Sequence, residues 1–504
     1  MQRFLKNKKI ILVILFIFIV LLSLFPRSIE VLNQNPIFGF DQGREMLAAR
    51  SIVVNHKLIL IGAELGAGSA GISGIFQGPL YYYLLTIPFI LFNGSPVGGV
   101  VMMFFLGLLS IAFSYYFGRK IFGNFGGILI AFIISISPVL ISQSRFMWSP
   151  NPPTFFILLS FYFIYLFGKN KNLYIFLASF FAGFIYNFEL AIAIPLSLAL
   201  FIYSIFIFKK EFKKYAYLFL GYIVAYSPMI FFEIRHGFIG IKGLISYLTI
   251  HTKTHQLSLL SFVPGHIQSF VFNFKDTFSP DNFLFALIFL LVLLSAFIYF
   301  ISKEKNKDLR HFFSFLIFLL PINFFVFFFL RNTVWTYYLT DLSLVYVLLL
   351  AYVMTTLYKK KHFILSSFSL FFIFTLVIIG AYNAYKTSTH DYSDYGGTAK
   401  LKGKEAAIDY IYKDARRKPF GVLTFSPPVY TYPYDYLFLW YGQKKYGYIP
   451  YSQKKGTFYL LIEPDSSKPW SYKGWLETVI KSGNIESTTT LPSGFIVQKR
   501  IAND

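Results

Sequence analysis

Two carboxylates and an arginine stand close together near the start of the chain, in the segment that reads FGFDQGRE. Asp41 and Glu45 are four residues apart, so on a helix both side chains project from one face, beside Arg44. This placement makes them candidate catalytic carboxylates, since proton transfer is the work that such groups do in enzymes. A simpler interpretation also fits, in which Asp41 caps an amphipathic helix and Glu45 lies in its first turn.

An arginine occupies an unusual place in the next polar loop, which reads SQSRFMWSPNPP. Arg145 follows an apolar run, and we predict that it lies on the outer side of the membrane, where loops usually contain fewer basic residues than on the cytoplasmic side. A negative group is therefore expected to hold it. Two partners fit: a lipid headgroup, or the phosphate of a substrate, which a guanidinium matches with its forked donors.

A third cluster, FEIRHGF, places Glu233, Arg235 and His236 within four positions at the end of an apolar run. Ionisable groups at this depth are costly unless they pair with each other or bind a ligand. A structural Glu233–Arg235 ion pair is the simpler alternative to ligand binding. Glu189 adds another carboxylate at the same depth, in the short connection between two apolar runs.

Two further patterns carry less information. The small-residue loop at 62–71 has no following Lys-Ser/Thr, so a flexible loop explains it better than a phosphate site. Three histidines lie in one later loop, but no carboxylate completes a metal site with them, so no metal is expected. They are His251, His255 and His266.

The elements that must position these residues are long apolar runs. Each run has close to the ~20 residues that a bilayer requires, and about eleven of them can be placed. Basic clusters follow every second run, which predicts a cytoplasmic N-terminus and a multi-pass protein of the plasma membrane. The predicted spans are 10–25, 98–117, 124–142, 153–167, 172–187, 189–207, 215–232, 283–301, 311–330, 336–357 and 362–383.

One apolar segment, at 79–92, is only about 14 residues long and contains Pro88, which favours a re-entrant or interfacial helix over a full crossing. We therefore predict a polytopic α-helical protein with about 11–13 transmembrane helices. Its domain of residues 1–384 has external loops at about 27–97 and 233–282. The C-terminal region lies on the same outer side.

The chain changes character at about residue 385, where apolar runs shorten and polar residues become frequent. We predict helices at 404–414 and 475–481 and strands at 421–425, 458–462 and 494–499. Residues 385–504 are therefore expected to form a small extracytoplasmic α/β domain.

Composition agrees with a membrane protein. The chain of 504 residues is 56% hydrophobic and only 14% charged, far from the average of soluble proteins. Its net charge of +23 lies in short loops, where basic residues meet lipid headgroups, so nucleic acid is not expected as a partner. The absence of cysteine excludes disulfides, thiol catalysis and thiolate-bound metals.

These features together resemble a known superfamily. An Asp soon after the first span, a Gly-rich loop leading to GPLYYYLL, the SRFMWSP loop and the SPMIFFEIRHGF segment look like the GT-C glycosyltransferases. Within it, the chain is similar to the protein O-mannosyltransferase and aminoarabinose-transferase-like group over about residues 1–385. Many relatives have Asp-Glu where this chain has Asp-Gln, and a further Asp in the second loop, where this chain has Ser144, Arg145 and Trp148.

The resemblance implies a membrane enzyme that moves a sugar from a polyprenyl-phosphate carrier to a glycan, lipid or protein acceptor on the outer face. It implies Asp41 as the catalytic general base, with Glu45 as a second carboxylate, and no cofactor or required metal. We expect the lipid phosphate to be bound by Arg145, Arg235 and His236. For the substrate we expect Glu189, Glu233, Tyr82, Trp148 and Tyr337, although an interfacial aromatic belt also explains the aromatic residues.

Two other classes of function remain open from the sequence. One is a transporter or flippase of glycan-linked lipid, although such a protein should place its ionisable residues near the bilayer midplane. The other is a polysaccharide polymerase or ligase.

Overall fold

The computed structural model describes residues 2–64, 74–169, 171–254, 259–278, 282–329, 334–360, 363–393, 396–427, 430–465 and 467–502. Helices dominate the chain up to residue 393. They are α1 (Gln2–Leu32), α2 (Phe40–Val53), α3 (Leu80–Leu91), α4 (Pro96–Phe122), α5 (Asn124–Ile136), α6 (Pro138–Gln143), α7 (Pro153–Tyr165), α8 (Asn172–Phe184), α9 (Leu190–Phe208), α10 (Phe212–Arg235), α11 (Ile239–Thr254), α12 (Val263–Phe278), α13 (Phe283–Ser302), α14 (Lys307–Phe328), α15 (Thr340–Lys359) and α16 (Phe363–Ser393).

Within the described ranges, seven helices are long and apolar enough to cross a bilayer. Four shorter apolar helices accompany them, at 80–91, 124–136, 153–165 and 172–187. The predicted polytopic helical membrane protein is thereby confirmed. The seven are Ile10–Leu32, Pro96–Phe122, Leu190–Phe208, Phe212–Arg235, Phe283–Ser302, Lys307–Phe328 and Thr336–Lys359.

Proline explains one departure from the predicted spans. The run predicted at 124–142 is divided into α5 and α6, because Ser137 adopts an extended conformation before Pro138. A residue before proline is pushed out of the helical region, and proline donates no backbone hydrogen bond. The break turns the chain so that α6 leads into the loop that carries Arg145 and Trp148.

Both termini of the short helix α3 lie on the side of the helix bundle against which the C-terminal domain packs. Near its start, Asn187 Oδ1 lies 3.4 Å from the Leu80 amide, and after its end the Trp440 indole donates to the Asn93 carbonyl at 2.8 Å. Its 12 residues span roughly 18 Å, well under the ~30 Å of a bilayer core. This geometry agrees with the re-entrant or interfacial interpretation.

The C-terminal domain contains a four-stranded sheet of order β1-β2-β4-β3, in which only the β1–β2 pair is parallel. Its strands are β1 (Gly421–Phe425), β2 (Thr457–Ile462), β3 (Asn484–Thr490) and β4 (Ile496–Ile501), and its helices are α17 (Leu401–Ala415), α18 (Tyr432–Leu437), α19 (Gln443–Tyr446) and α20 (Ser471–Trp475). The predicted small C-terminal α/β region is confirmed. The strand β3, which is polar and almost wholly exposed, and the short helices α18 and α19 were not predicted.

The C-terminal domain and the first loop share one hydrophobic core. Phe38 and Met46 are buried with Ile408 and Tyr436 of the domain. A short β-bridge pairs Ile37 with Lys400. The helix α16 continues to Ser393, so the predicted boundary at 384/385 falls inside a helix. Because α2 is packed against both α3 and α18, its first turn is held in a fixed position.

Candidate active site

The carboxylate of Asp41 lies in the first turn of α2, where the helix dipole favours negative charge. The Arg44 guanidinium lies 2.7 Å from Oδ1, and the indole Nε1 of Trp148 donates to Oδ2 at 3.0 Å. One third of the Asp41 side chain is exposed. Asp41 is therefore an accessible carboxylate whose two oxygens are both oriented by neighbours.

Glu45 has a different environment, although it projects from the same side of α2. Its side chain is fully buried, and Oε1 accepts a hydrogen bond from the Ser149 amide at 3.1 Å. Burial raises the pKa of Glu45 to about 8, because the charged carboxylate loses its hydration. Glu45 therefore anchors the loop that carries Trp148, and its catalytic role stays a prediction.

Glu189 and Tyr337 complete the surroundings of Asp41. The Glu189 side chain is 2% exposed and caps the start of α9, where it accepts from the Ala191 amide at 3.1 Å. It interacts electrostatically with both Asp41 and Tyr337. The Tyr337 ring meets the Trp148 ring edge-to-face at 4.6 Å. The structure thus brings together four residues that the sequence predicted separately: Asp41, Glu189, Trp148 and Tyr337.

Arg44 lies between Asp41 and the helix α3. Its guanidinium is 5.3 Å from the centre of the Phe40 ring and interacts with the phenol of Tyr82, which is itself buried. The Nε atom of Arg44 is buried and has no hydrogen-bond partner in the described part of the chain. Tyr82 therefore supports Arg44 from below and is not an exposed stacking surface for a sugar.

Arg145 is held by two carboxylates of the protein. Its guanidinium forms a bidentate pair with Glu30, at 3.1 and 2.5 Å, and contacts Asp391 at 2.7 Å. The Arg145 and Glu30 side chains are only 10% and 9% exposed. Two carboxylates of the protein therefore supply the negative charge that the sequence analysis expected from a lipid headgroup or a phosphate.

The cluster at the end of α10 does not contact Asp41 through any described side-chain interaction. Glu233 accepts from the amides of Gly240 and Ile241 at 2.9 and 3.3 Å, and so caps the helix α11. The Glu233–Arg235 ion pair considered from the sequence does not form. Arg235 is exposed, and the His236 ring stacks on Phe232 with centroids 4.2 Å apart.

Metal binding finds no support in the described ranges, where no group of three His, Cys, Asp or Glu side chains is placed to hold an ion. His255 and the loop at 65–73 lie outside the described residues, as does the side chain of His251.

Several buried charges were not predicted from the sequence, among them Asp341 and Arg27. Asp341 is fully buried in α15 and accepts from the Asn323 amide at 2.9 Å. Arg27 in α1 is 1% exposed and donates to the carbonyls of Ser135 and Ile134 at 2.8 and 2.9 Å. Asp341 lies inside the predicted span 336–357, and Arg27 lies just beyond the predicted span 10–25. A charge inside or next to an apolar run is the signal that identifies such residues.

No model of a known protein family matches the sequence, and no curated protein sequence matches it. Solved structures do match. ArnT from Cupriavidus metallidurans, bound to undecaprenyl phosphate, aligns with a TM-score of 0.58 and 13% identity over 97% of each chain. The same protein in its apo state gives a TM-score of 0.55 and 14% identity, again over 97% of each chain. An oligosaccharyltransferase from Archaeoglobus fulgidus, in complex with Zn and sulfate, gives 0.49 and 13% over 96% of this chain and 72% of that one. The chain therefore shares the fold of ArnT, and the predicted fold class, a polytopic helical membrane protein with a small C-terminal α/β region, is confirmed.

Proposed function

We propose that this protein is a membrane glycosyltransferase that moves a sugar from a polyprenyl-phosphate carrier to an acceptor hydroxyl on the outer face of the membrane. The observation that carries the proposal is the partly exposed Asp41 carboxylate, oriented by Arg44 and Trp148 beside Glu189 and Tyr337. The shared fold adds support, since one of the matching ArnT structures contains undecaprenyl phosphate.

The proposed step is a displacement at the anomeric carbon of the donor sugar. The acceptor oxygen forms a bond to that carbon, while the bond from the carbon to the phosphate oxygen breaks and its electron pair leaves with the lipid phosphate. Asp41 takes the proton of the acceptor hydroxyl as the new bond forms. The proposal uses no cofactor, and no metal is needed to balance the step.

The leaving phosphate requires a cation that is free to meet it. Arg145 is occupied by Glu30 and Asp391, so we leave it out of this role. Arg44 fits better, because its side chain is 20% exposed, forms an ion pair with one described carboxylate, Asp41, and leaves its Nε without a hydrogen-bond partner in the described residues. We propose Arg44 as the principal phosphate contact, with the exposed Arg235 and His236 nearer the surface of the outer loop.

The proposal is tested by transfer from a carrier with a radiolabelled sugar, comparing the wild type with Asp41→Asn at matched protein abundance. The variant keeps the size of the side chain but cannot accept the proton, so we expect transfer to fall by roughly 10²–10⁴-fold. Asp465→Asn is the control, since Asp465 is a partly exposed carboxylate in the C-terminal domain that accepts hydrogen bonds within its own turn. Undiminished transfer by Asp41→Asn would remove the assigned base, and carrier movement without a new glycosidic bond would favour a flippase.

A further inference from the structure

A cleft of about 280 Å³ lies where the C-terminal domain meets the turn after α3. We call it the junction cleft. Its walls come from the end of α2, the end of α3 and the segment that joins α18 to α19. The lining residues are Arg50, Phe89, Asn93, Gly94, Tyr436, Leu439, Trp440, Gln443 and Lys444.

Two cationic side chains, Arg50 and Lys444, are the charged residues that line the junction cleft. Arg50 lies in the last turn of α2, and Lys444 lies in α19 with its Nζ 6.0 Å from the centre of the Trp440 ring. No acidic residue lines the cleft, and neither cation forms an ion pair with a described residue. Two cations without a carboxylate partner are a suitable environment for an external anion.

The turn at the base of the junction cleft is rigidly held. The Trp440 indole donates to the Asn93 carbonyl, and the Tyr436 hydroxyl donates to the Gly94 carbonyl. A side chain at Gly94 would meet Trp440 at 2.7 Å, so the close approach of the two parts requires glycine. The cleft is therefore built from groups whose positions are fixed by hydrogen bonds between the first loop and the C-terminal domain.

The depth of the cleft relative to the bilayer follows from its neighbours. Asn93 and Gly94 lead directly into α4, a helix long enough to cross the membrane. On α3, Ile87, Ile90 and Leu91 are 56%, 59% and 71% exposed, and apolar side chains of this kind are stable in hydrocarbon. A tryptophan such as Trp440 is also typical of the membrane–water interface. The cleft thus opens at the level of lipid headgroups.

From this placement we infer that the junction cleft binds the phosphate group of an anionic membrane lipid, through Arg50 and Lys444. The site is separate from the one around Asp41: Arg50 follows Asp41 by nine residues on α2, which places the two on opposite faces about 14 Å apart along the helix. Lipid binding here would attach the C-terminal domain to the bilayer and so hold α2 in place.

The test uses the full chain in nanodiscs and the quenching of tryptophan fluorescence by lipids with brominated acyl chains. The contribution of Trp440 is obtained as the difference between the wild type and Trp440→Phe. We expect brominated phosphatidylglycerol to quench this contribution at a lower mole fraction than brominated phosphatidylcholine. Removal of each cation, in Arg50→Gln and Lys444→Gln, should weaken that preference by about five-fold.

Lys473→Gln is the matched control, because Lys473 is an exposed lysine of α20 that does not line the cleft. It should keep the full preference. Equal quenching by the two lipids, or a preference that survives in the Arg50→Gln/Lys444→Gln double variant, would overturn the inference. Loss of the preference on adding inorganic phosphate would assign the cleft to a soluble anion instead, and circular dichroism of each variant verifies that it is folded.

Discussion

Replacement of Arg145 separates two roles for this residue, the phosphate binding expected from the sequence and the structural pairing seen in the fold. The residue joins three parts of the chain that are far apart in sequence: Glu30 at the end of α1, the loop after α6, and Asp391 at the end of α16. Arg145→Gln removes the cation and leaves Glu30 as a carboxylate that is 9% exposed and has lost its partner.

The expected cost can be worked out from this geometry. Breaking a buried ion pair by removing one partner costs about 3–5 kcal/mol, because the remaining charge is neither solvated nor paired. Losing the ion pair between Arg145 and Asp391 costs less, since the Asp391 side chain is 28% exposed and water can solvate it. We therefore expect the unfolding free energy of Arg145→Gln to fall by about 3–5 kcal/mol. Glu30→Gln added to Arg145→Gln should restore at least ~1 kcal/mol, because no buried charge then remains.

The measurement is denaturant unfolding of the detergent-solubilised full chain, followed by tryptophan fluorescence, together with the KM for the lipid-linked sugar. Arg310→Gln is the control, since Arg310 is exposed on α14. An Arg145→Gln protein that unfolds at the wild-type denaturant concentration but has a raised donor KM would refute the structural role. It would return Arg145 to the phosphate site.

Three further predictions concern α2 and its neighbours. Burial raises the pKa of Glu45 from 4.5 to about 8. Between these two pH values the folded state keeps a proton that the unfolded state has lost. The unfolding free energy should therefore fall as pH rises from 4.5 to 8, by at most about 1.4 kcal/mol per pH unit. Denaturation midpoints measured from pH 5 to 9 should lose this slope in Glu45→Gln, and an unchanged slope would assign it to other groups. Gly43→Ala places a Cβ 2.4 Å from the backbone of Pro433, so it should lower the unfolding free energy by about 1–3 kcal/mol and speed proteolysis between α2 and α18. Gly474→Ala is the control: the site has open space around it, so neither quantity should change. Trp148→Phe keeps a ring against Tyr337 but removes the hydrogen-bond donor to Asp41. The rate of sugar transfer should fall about 10- to 100-fold relative to the control Trp470→Phe, which changes an exposed tryptophan. Equal rates in the two variants would show that the Trp148–Asp41 hydrogen bond does not contribute to transfer.

Local properties of the chain were predictable because they depend on residues near one another in sequence. The length of an apolar run decides whether it can cross a bilayer, and a short apolar run predicted β1 at Gly421–Phe425 with its observed bounds. The four-residue spacing correctly placed Asp41 and Glu45 on one helix. Where the local signal was weak, as in the polar strand β3, the prediction failed.

The environment of each charged side chain was not predictable in this way. Nothing in the sequence around Arg145 shows that Glu30 and Asp391, 115 and 246 positions away, will meet it. Glu233 was expected to pair with Arg235 or a ligand, yet it caps α11 through backbone amides. These partners are determined by how distant helices pack.

The sequence alone therefore determined that this is a polytopic membrane protein with an α/β region at its end and a carboxylate, Asp41, in the first turn of a helix after the first span. Only the tertiary structure decided which carboxylates stay accessible and which are buried. The physical reason is that hydrophobic length and helical spacing are local quantities, whereas desolvation and ion pairing depend on every element that packs around a charge.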